Sequence, residues 1–193
     1  MANYRHNFGR TDRKGVILEL NDYPFSIGKI QINFVSYDTN TYKTKFQIPI
    51  YMDFTEFLSF REAIRNGSVL RKLQNSTNSY EKGFTLMAGD GALKAQNKSY
   101  PFKVPQGKAV SRQFAVQKST SNDYCLIASY SLAREDSKGL IVPEGKPLNY
   151  IMVPIAHNDL MGFLEMGKIR IEAFENMKML NFKDSFTFDN FTF

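Results

Sequence analysis

The chain has no tryptophan, one cysteine and only two histidines in 193 residues. A lone Cys125 can neither close an internal disulfide nor build a thiolate zinc site. In Asp123-Tyr-Cys-Leu-Ile-Ala128 it reads as a small buried hydrophobe. His6 falls in a basic N-terminal segment and His157 at a helix start, and no metal-ligand cluster occurs at recognisable spacing. There is no Gly-x-Ser-x-Gly elbow and no Gly-Lys-Ser/Thr phosphate loop. Gly89-Asp-Gly91-Ala-Leu-Lys94 lacks the third glycine of a dinucleotide loop and reads as a turn. The acids are scattered, and Glu135-Asp136 reads as a loop tip. These absences argue against an enzyme and leave no cofactor or metal to expect. A carboxylate-metal nuclease assembled from distant residues is the one catalytic reading left open. No apolar run approaches the ~18 residues of a membrane span, and the N-terminus has no apolar signal core. The expectation is a cytoplasmic protein of a bacterium or a phage-infected cell, with no membrane partner.

What the chain does have is apolar content of 42%, aromatic content of 14% and a net charge of +6. That is enough to build a core in one domain and rules out a disordered protein. Residues 182–193 hold five of the 17 phenylalanines and a net charge of −1, which leaves +7 for the rest. A basic body suits a polyanion partner. The end of the chain, Phe182-Lys-Asp-Ser-Phe-Thr-Phe-Asp-Asn-Phe-Thr-Phe193, spaces aromatics among small polar and acidic residues. It shows neither an apolar run nor clean alternation, so it reads as a peptide offering Phe anchors to a partner's pocket. It resembles the acidic, Phe-terminated tails of bacterial and phage single-stranded DNA-binding proteins, which recruit replication and repair enzymes. Phe186, Phe188, Asp189, Phe191 and Phe193 are the residues this likeness points to. The competing reading is a last strand or arm packed on the body or on a neighbouring subunit.

The chain divides into a basic arm (1–14), a domain of two similar halves (15–74 and 83–180) and the tail (181–193). Gly15–Leu20 reads as the first strand. Lys29–Tyr37 alternates with Ile30, Ile32 and Phe34 on one face, and Thr44–Ile50 with Phe46, Ile48 and Ile50. These are half-buried antiparallel strands of a meander. A helix capped by Asp53 or Thr55 follows, with Phe54, Phe57, Leu58 and Ile64 as its buried stripe, and Asn66-Gly67 breaks or kinks it. The second half offers strands at Phe84–Ala88, Arg112–Lys118, Tyr124–Leu132 and Asn149–Ile155. Ile48-Pro-Ile50 before Phe57-Leu58 is echoed by Val153-Pro-Ile155 before Phe163-Leu164. A strand carrying proline suits a sheet edge.

The expected fold class is α+β, a duplicated antiparallel β-meander plus helix with a flexible C-terminal tail. This plan resembles the Whirly fold, related to the transcriptional-coactivator type of single-stranded DNA-binding domain and found in some phage and mobile-element proteins. The likeness spans roughly residues 15–180. It implies tetramers, sheet edges that bind single-stranded DNA, and no catalytic residues.

Binding single strands without sequence preference needs cations for phosphates and flat rings for bases. In the first half Tyr23, Phe25, Lys29, Tyr37, Tyr42, Lys43 and Lys45 are candidates. In the second half they are Lys108, Arg112, Phe114, Lys118, Tyr124 and Tyr130. Each has a plainer reading, a lysine that keeps a strand wet or a tyrosine that packs. As a set on neighbouring strands they point to a non-sequence-specific single-stranded DNA-binding protein of replication or recombination, a homo-oligomer (dimer or tetramer) whose tail recruits partner proteins. Two alternatives stand beside it: an oligonucleotide-binding barrel with one helix, and a non-enzymatic phage structural or assembly protein.

Overall fold

A computed structural model describes residues 6–185 of the chain. Its first sheet comes from the alternating strands. It has β1 (Asn7–Arg13), β2 (Val16–Asn21), β3 (Lys29–Tyr37) and β4 (Thr44–Asp53), antiparallel and in chain order. Leu18 and Leu20, Ile30, Ile32 and Phe34, and Ile48, Ile50 and Met52 bury one face, as the period of two requires. Residues 7–13, expected within a basic arm, instead pair with β2 as the sheet edge. Phe8 anchors this strand edge-on to Phe25, 6.2 Å between ring centroids. The polar face of β3 is not half-wet as expected, because Gln31 and Asn33 are buried in a side-chain ladder. Asn21 Nδ2 donates to Gln31 Oε1 (2.8 Å), and Asn33 Nδ2 is shared by Glu19 Oε2 and Gln47 Oε1, both at 3.1 Å. Buried amides are tolerated when paired in this way; of this ladder's buried atoms, Asn33 Oδ1 alone has no partner among the described residues.

Helix α1 (Phe54–Arg65) starts where Asp53 N donates to Glu56 Oε2 at 2.9 Å, half of a capping box. It stops at Asn66-Gly67, where Gly67 takes φ +72°, and α2 (Ser68–Asn75) follows. Phe57, Phe60 and Ile64 of α1 and Val69 and Leu73 of α2 are buried.

The second sheet contains β5 (Lys82–Asp90), β6 (Ala109–Lys118) and β7 (Tyr124–Glu135), with the short helix α3 (Ala92–Gln96) after β5. β8 (Ile141–Pro143) and β9 (Asn149–Ile155) lie end to end along the far edge of β7. Helix α4 (His157–Ser185) is the last described element. The protein is therefore α+β, with two antiparallel sheets and a C-terminal helix. It is not the single five-stranded barrel with one helix that the alternative required. The expected tail segment 181–193 begins inside α4, and the anchor residues Phe186, Phe188, Asp189, Phe191 and Phe193 lie outside the described residues. Among the described residues no helix is long and apolar enough to cross a membrane.

The sheets meet through aromatic rings: Phe34 of β3 and Phe60 of α1 pack on Phe114 of β6, with centroids 6.0 and 5.4 Å away. Leu160, Phe163, Leu164 and Ile171 bury the inner side of α4. Gly167 lies where α4 presses on Phe57, and a Cβ there would intrude into that ring. Gly167→Ala is therefore expected to cost about 1–3 kcal/mol by overpacking, despite the better helix propensity of alanine. Urea unfolding of the two proteins checks it, and a stabilised variant would mean that α4 can shift away from Phe57.

Candidate nucleic-acid interface

Proline has no N–H, so Pro49 fits on β4 only where the missing donor would point away from β3. Its carbonyl then points off the sheet edge as well, and Arg112 Nη1 of β6 donates to it at 3.3 Å. The edge of the first sheet is thereby fastened across the second. Beside this junction lies an open groove of about 640 Å³. Its one wall is the outward side of β4, with Lys45, Gln47, Pro49 and Tyr51. Its other wall is Arg112, Tyr130 of β7, Asp90 at the end of β5, and the Lys98–Pro101 loop after α3.

Asp90 organises the second wall. Lys98 Nζ and Tyr100 Oη donate to its two carboxylate oxygens at 2.9 and 2.8 Å. Lys94 Nζ is 3.0 Å and Arg112 Nη2 3.5 Å away. Burial alone would raise the Asp90 pKa, but the bonds from Lys98, Lys94 and Tyr100 and the charge of Arg112 outweigh it and hold it at about 2. The Tyr100 hydroxyl is shifted upward by burial and by its bond to Asp90. Tyr130 is pushed up to about 12, chiefly by burial. Both phenols therefore stay neutral at physiological pH and present uncharged rings. The Arg112 guanidinium lies 5.2 Å from the centroid of the Tyr51 ring. Asp90 is the single carboxylate in this lining, against Lys45, Lys98 and Arg112.

Of the residues expected from sequence, Lys45, Arg112 and Tyr130 line the groove, Lys45 exposed and Arg112 and Tyr130 buried in its wall. Tyr42 and Lys43 immediately precede Thr44, which also lines it. Tyr42 is 79% exposed and stacked on Tyr37, with ring planes 18° apart and centroids 6.4 Å apart. Tyr23 adjoins the groove through its hydroxyl, 2.5 Å from that of Tyr51. Lys29, Lys108 and Lys118 stand apart from the lining. Lys29 pairs with Asp53 (2.7 Å) and Lys108 with Glu144 (2.6 Å). Lys118 is six residues beyond Arg112 on β6, roughly 20 Å along the strand.

Three expected stackers are core residues. Phe25 is turned inward by the 3₁₀ turn Tyr23–Ile27 onto Phe54 and Phe174, with centroids 4.9 and 5.3 Å away. Phe114 is on the inner face of β6, and Tyr124 on that of β7, with its hydroxyl 3.1 Å from His157 Nδ1. No base can reach these rings.

Tyr51, Lys98 and Tyr100 were not among the expected residues. Tyr51 continues the outward alternation of Gln47 and Pro49, and extending the strand past Ile50 would have found it. Lys94, Lys98, Tyr100, Phe102 and Lys103 form a basic and aromatic cluster legible in the sequence, but without periodicity to place it.

Among the described residues no group of three or more His, Cys, Asp or Glu stands where it could hold a metal ion. No protein-family model matches the chain, and no curated protein matches it significantly.

Proposed function

We propose that the protein binds single-stranded DNA without sequence preference and without catalysis, in replication or recombination. The observation that carries this is the groove, where the rings of Tyr51 and Tyr100 stand among Lys45, Lys98 and Arg112, with Tyr130 buried behind Tyr100. Rings supply stacking that every base satisfies, and cations supply phosphate neutralisation. The proposal includes the finer fold reading, a duplicated Whirly-like arrangement. It is supported by Pro49 on β4 before α1 and Pro154 on β9 before α4, each on a strand that ends its sheet's pairing. It also includes recruitment of replication or recombination proteins by the C-terminal Phe residues, for which the resemblance of the sequence is the support. Deleting residues 186–193 is then expected to leave DNA affinity unchanged or tighter.

Fluorescent oligo-dT is the test, with a duplex of equal length as control. The two exposed groove cations, Lys45 and Lys98, predict that log K falls with a slope of about −1.4 in log salt, at ~0.7 per phosphate contact. Equal affinity for the duplex would sink the stacking argument, and no binding at low salt would remove the proposal.

A further inference from the structure

Helix α4 is apolar on two opposite sides. Leu160, Phe163, Leu164, Gly167 and Ile171 face the body. Roughly 150° round the helix, at 100° per residue, runs a second stripe of Met166, Ile169, Ala173, Asn176 and Leu180. Met166 is 39% exposed with its methyl against Gly9 of β1, Ile169 is 62% and Leu180 60% exposed, and from Asn176 to Leu180 every residue is exposed. A helix apolar on both sides is one that is covered on both sides. The stripe repeats at intervals of three and four residues, which is the seam of a coiled coil and not a broad core-facing surface.

We propose that this stripe is where a second copy of the chain docks, as a parallel, in-register pair of α4 helices. The assignment does not rest on the DNA-binding reading. Two features select a second copy and this orientation. Parallel packing brings Glu165 beside Arg170 of the second copy, opposite charges five residues apart across the seam. Antiparallel packing with Ile169 facing Ala173 instead sets Glu172 against Glu172 and Arg170 against Arg170. Parallel register also places Asn176, the one polar member of the seam, against its own counterpart, where the two amides hydrogen-bond each other. A polar pair of this kind fixes register at a cost in stability. In the single chain Glu165 is paired with Arg61 and Arg170 with Asp22, so both flanking side chains are already ordered beside the seam.

Sedimentation of the full chain, with circular dichroism as a folding control, tests the proposal. The wild type is expected at twice the monomer mass or a multiple of it. Ile169→Glu, at a position exposed in the single chain, is expected to run as a monomer with an unchanged spectrum. A monomeric wild type overturns the proposal, whatever else covers the stripe. So does an oligomer that survives both Ile169→Glu and Leu180→Glu. For orientation, Ile169→Cys is expected to form a disulfide-linked dimer under mild oxidation, since Cys125 is buried. If Ile169→Cys fails to cross-link with itself but cross-links when mixed with Ala173→Cys, the packing is antiparallel and the proposed register is wrong.

Discussion

Asp90→Asn is expected to lower the unfolding free energy by about 3 kcal/mol at neutral pH, as removal of one partner from a buried ionic cluster does. Lys94 and Lys98 are exposed enough to turn toward water, but Arg112 is not: its side chain is only 9% accessible and keeps its place against Pro49. The pH dependence identifies the cause. The folded-state pKa of about 2 lies below the ordinary 3.8. Asp90 therefore contributes stability that is fully present above pH 4 and is lost as the pH falls through 2. That contribution is about 2 kcal/mol, because a tenfold change in acidity between the folded and unfolded chain corresponds to about 1.4 kcal/mol. Urea unfolding of the wild type should lose this increment between pH 5 and pH 2, and Asp90→Asn should not. Parallel curves for the two proteins would mean that Asp90 is not the titrating group. If the groove is the DNA interface, the same substitution removes the one carboxylate from its lining and tightens oligo-dT binding. Lower stability together with higher affinity is an outcome that damage to the fold does not produce.

Tyr51→Ala combined with Tyr100→Ala is expected to weaken oligo-dT binding about 30-fold or more. Each ring contributes about 1–3 kcal/mol of stacking, and about 1.4 kcal/mol is tenfold in affinity. No cation is removed, so the slope of log K against log salt should stay as in the wild type. Tyr51→Phe with Tyr100→Phe keeps both rings and should keep most of the affinity, although it breaks the hydrogen bond from Tyr100 to Asp90. Unchanged binding by the double alanine variant, with the fold intact, would place the interface elsewhere. A loss equally large in the double phenylalanine variant would show that the hydroxyls matter and stacking does not.

The elements with strict periodicity were legible. Ile30, Ile32 and Phe34 gave the buried face of β3, and Phe57 and Ile64 that of α1, because a period of two or 3.6 states burial directly. Asn66-Gly67 marked the helix break because only glycine takes a positive φ cheaply there. β1 was hidden because its only large apolar residue is Phe8 and its arginines look like a solvated arm. The groove was half legible for a different reason. Tyr124 and Tyr130 share one face of β7, so the strand pattern treats them alike. The crossing of β4 over β6 and β7 separates them: both are buried, but Tyr124 lies deep in the core and Tyr130 backs the groove lining. That crossing is a tertiary fact with no local signature. Lys98 and Tyr100 sit in a loop, where Asp90 and not periodicity fixes their positions.

The ion pair between Arg13 and Asp159 spans 146 residues, and that between Asp22 and Arg170 spans 148. β1 and the end of β2 are thus seated by α4, which sets a schedule for synthesis. When β1 to β4 have left the ribosome, the residues that roof their apolar face, Leu160 to Ile171, are still untranslated. At ~5–20 residues per second, the roof arrives on the order of ten seconds later. Until then Leu18, Leu20, Ile30 and Ile32 lack part of their cover. The nascent first half is the stage of this protein's life most exposed to aggregation and most in need of a chaperone, and a chain truncated before α4 keeps that exposure permanently.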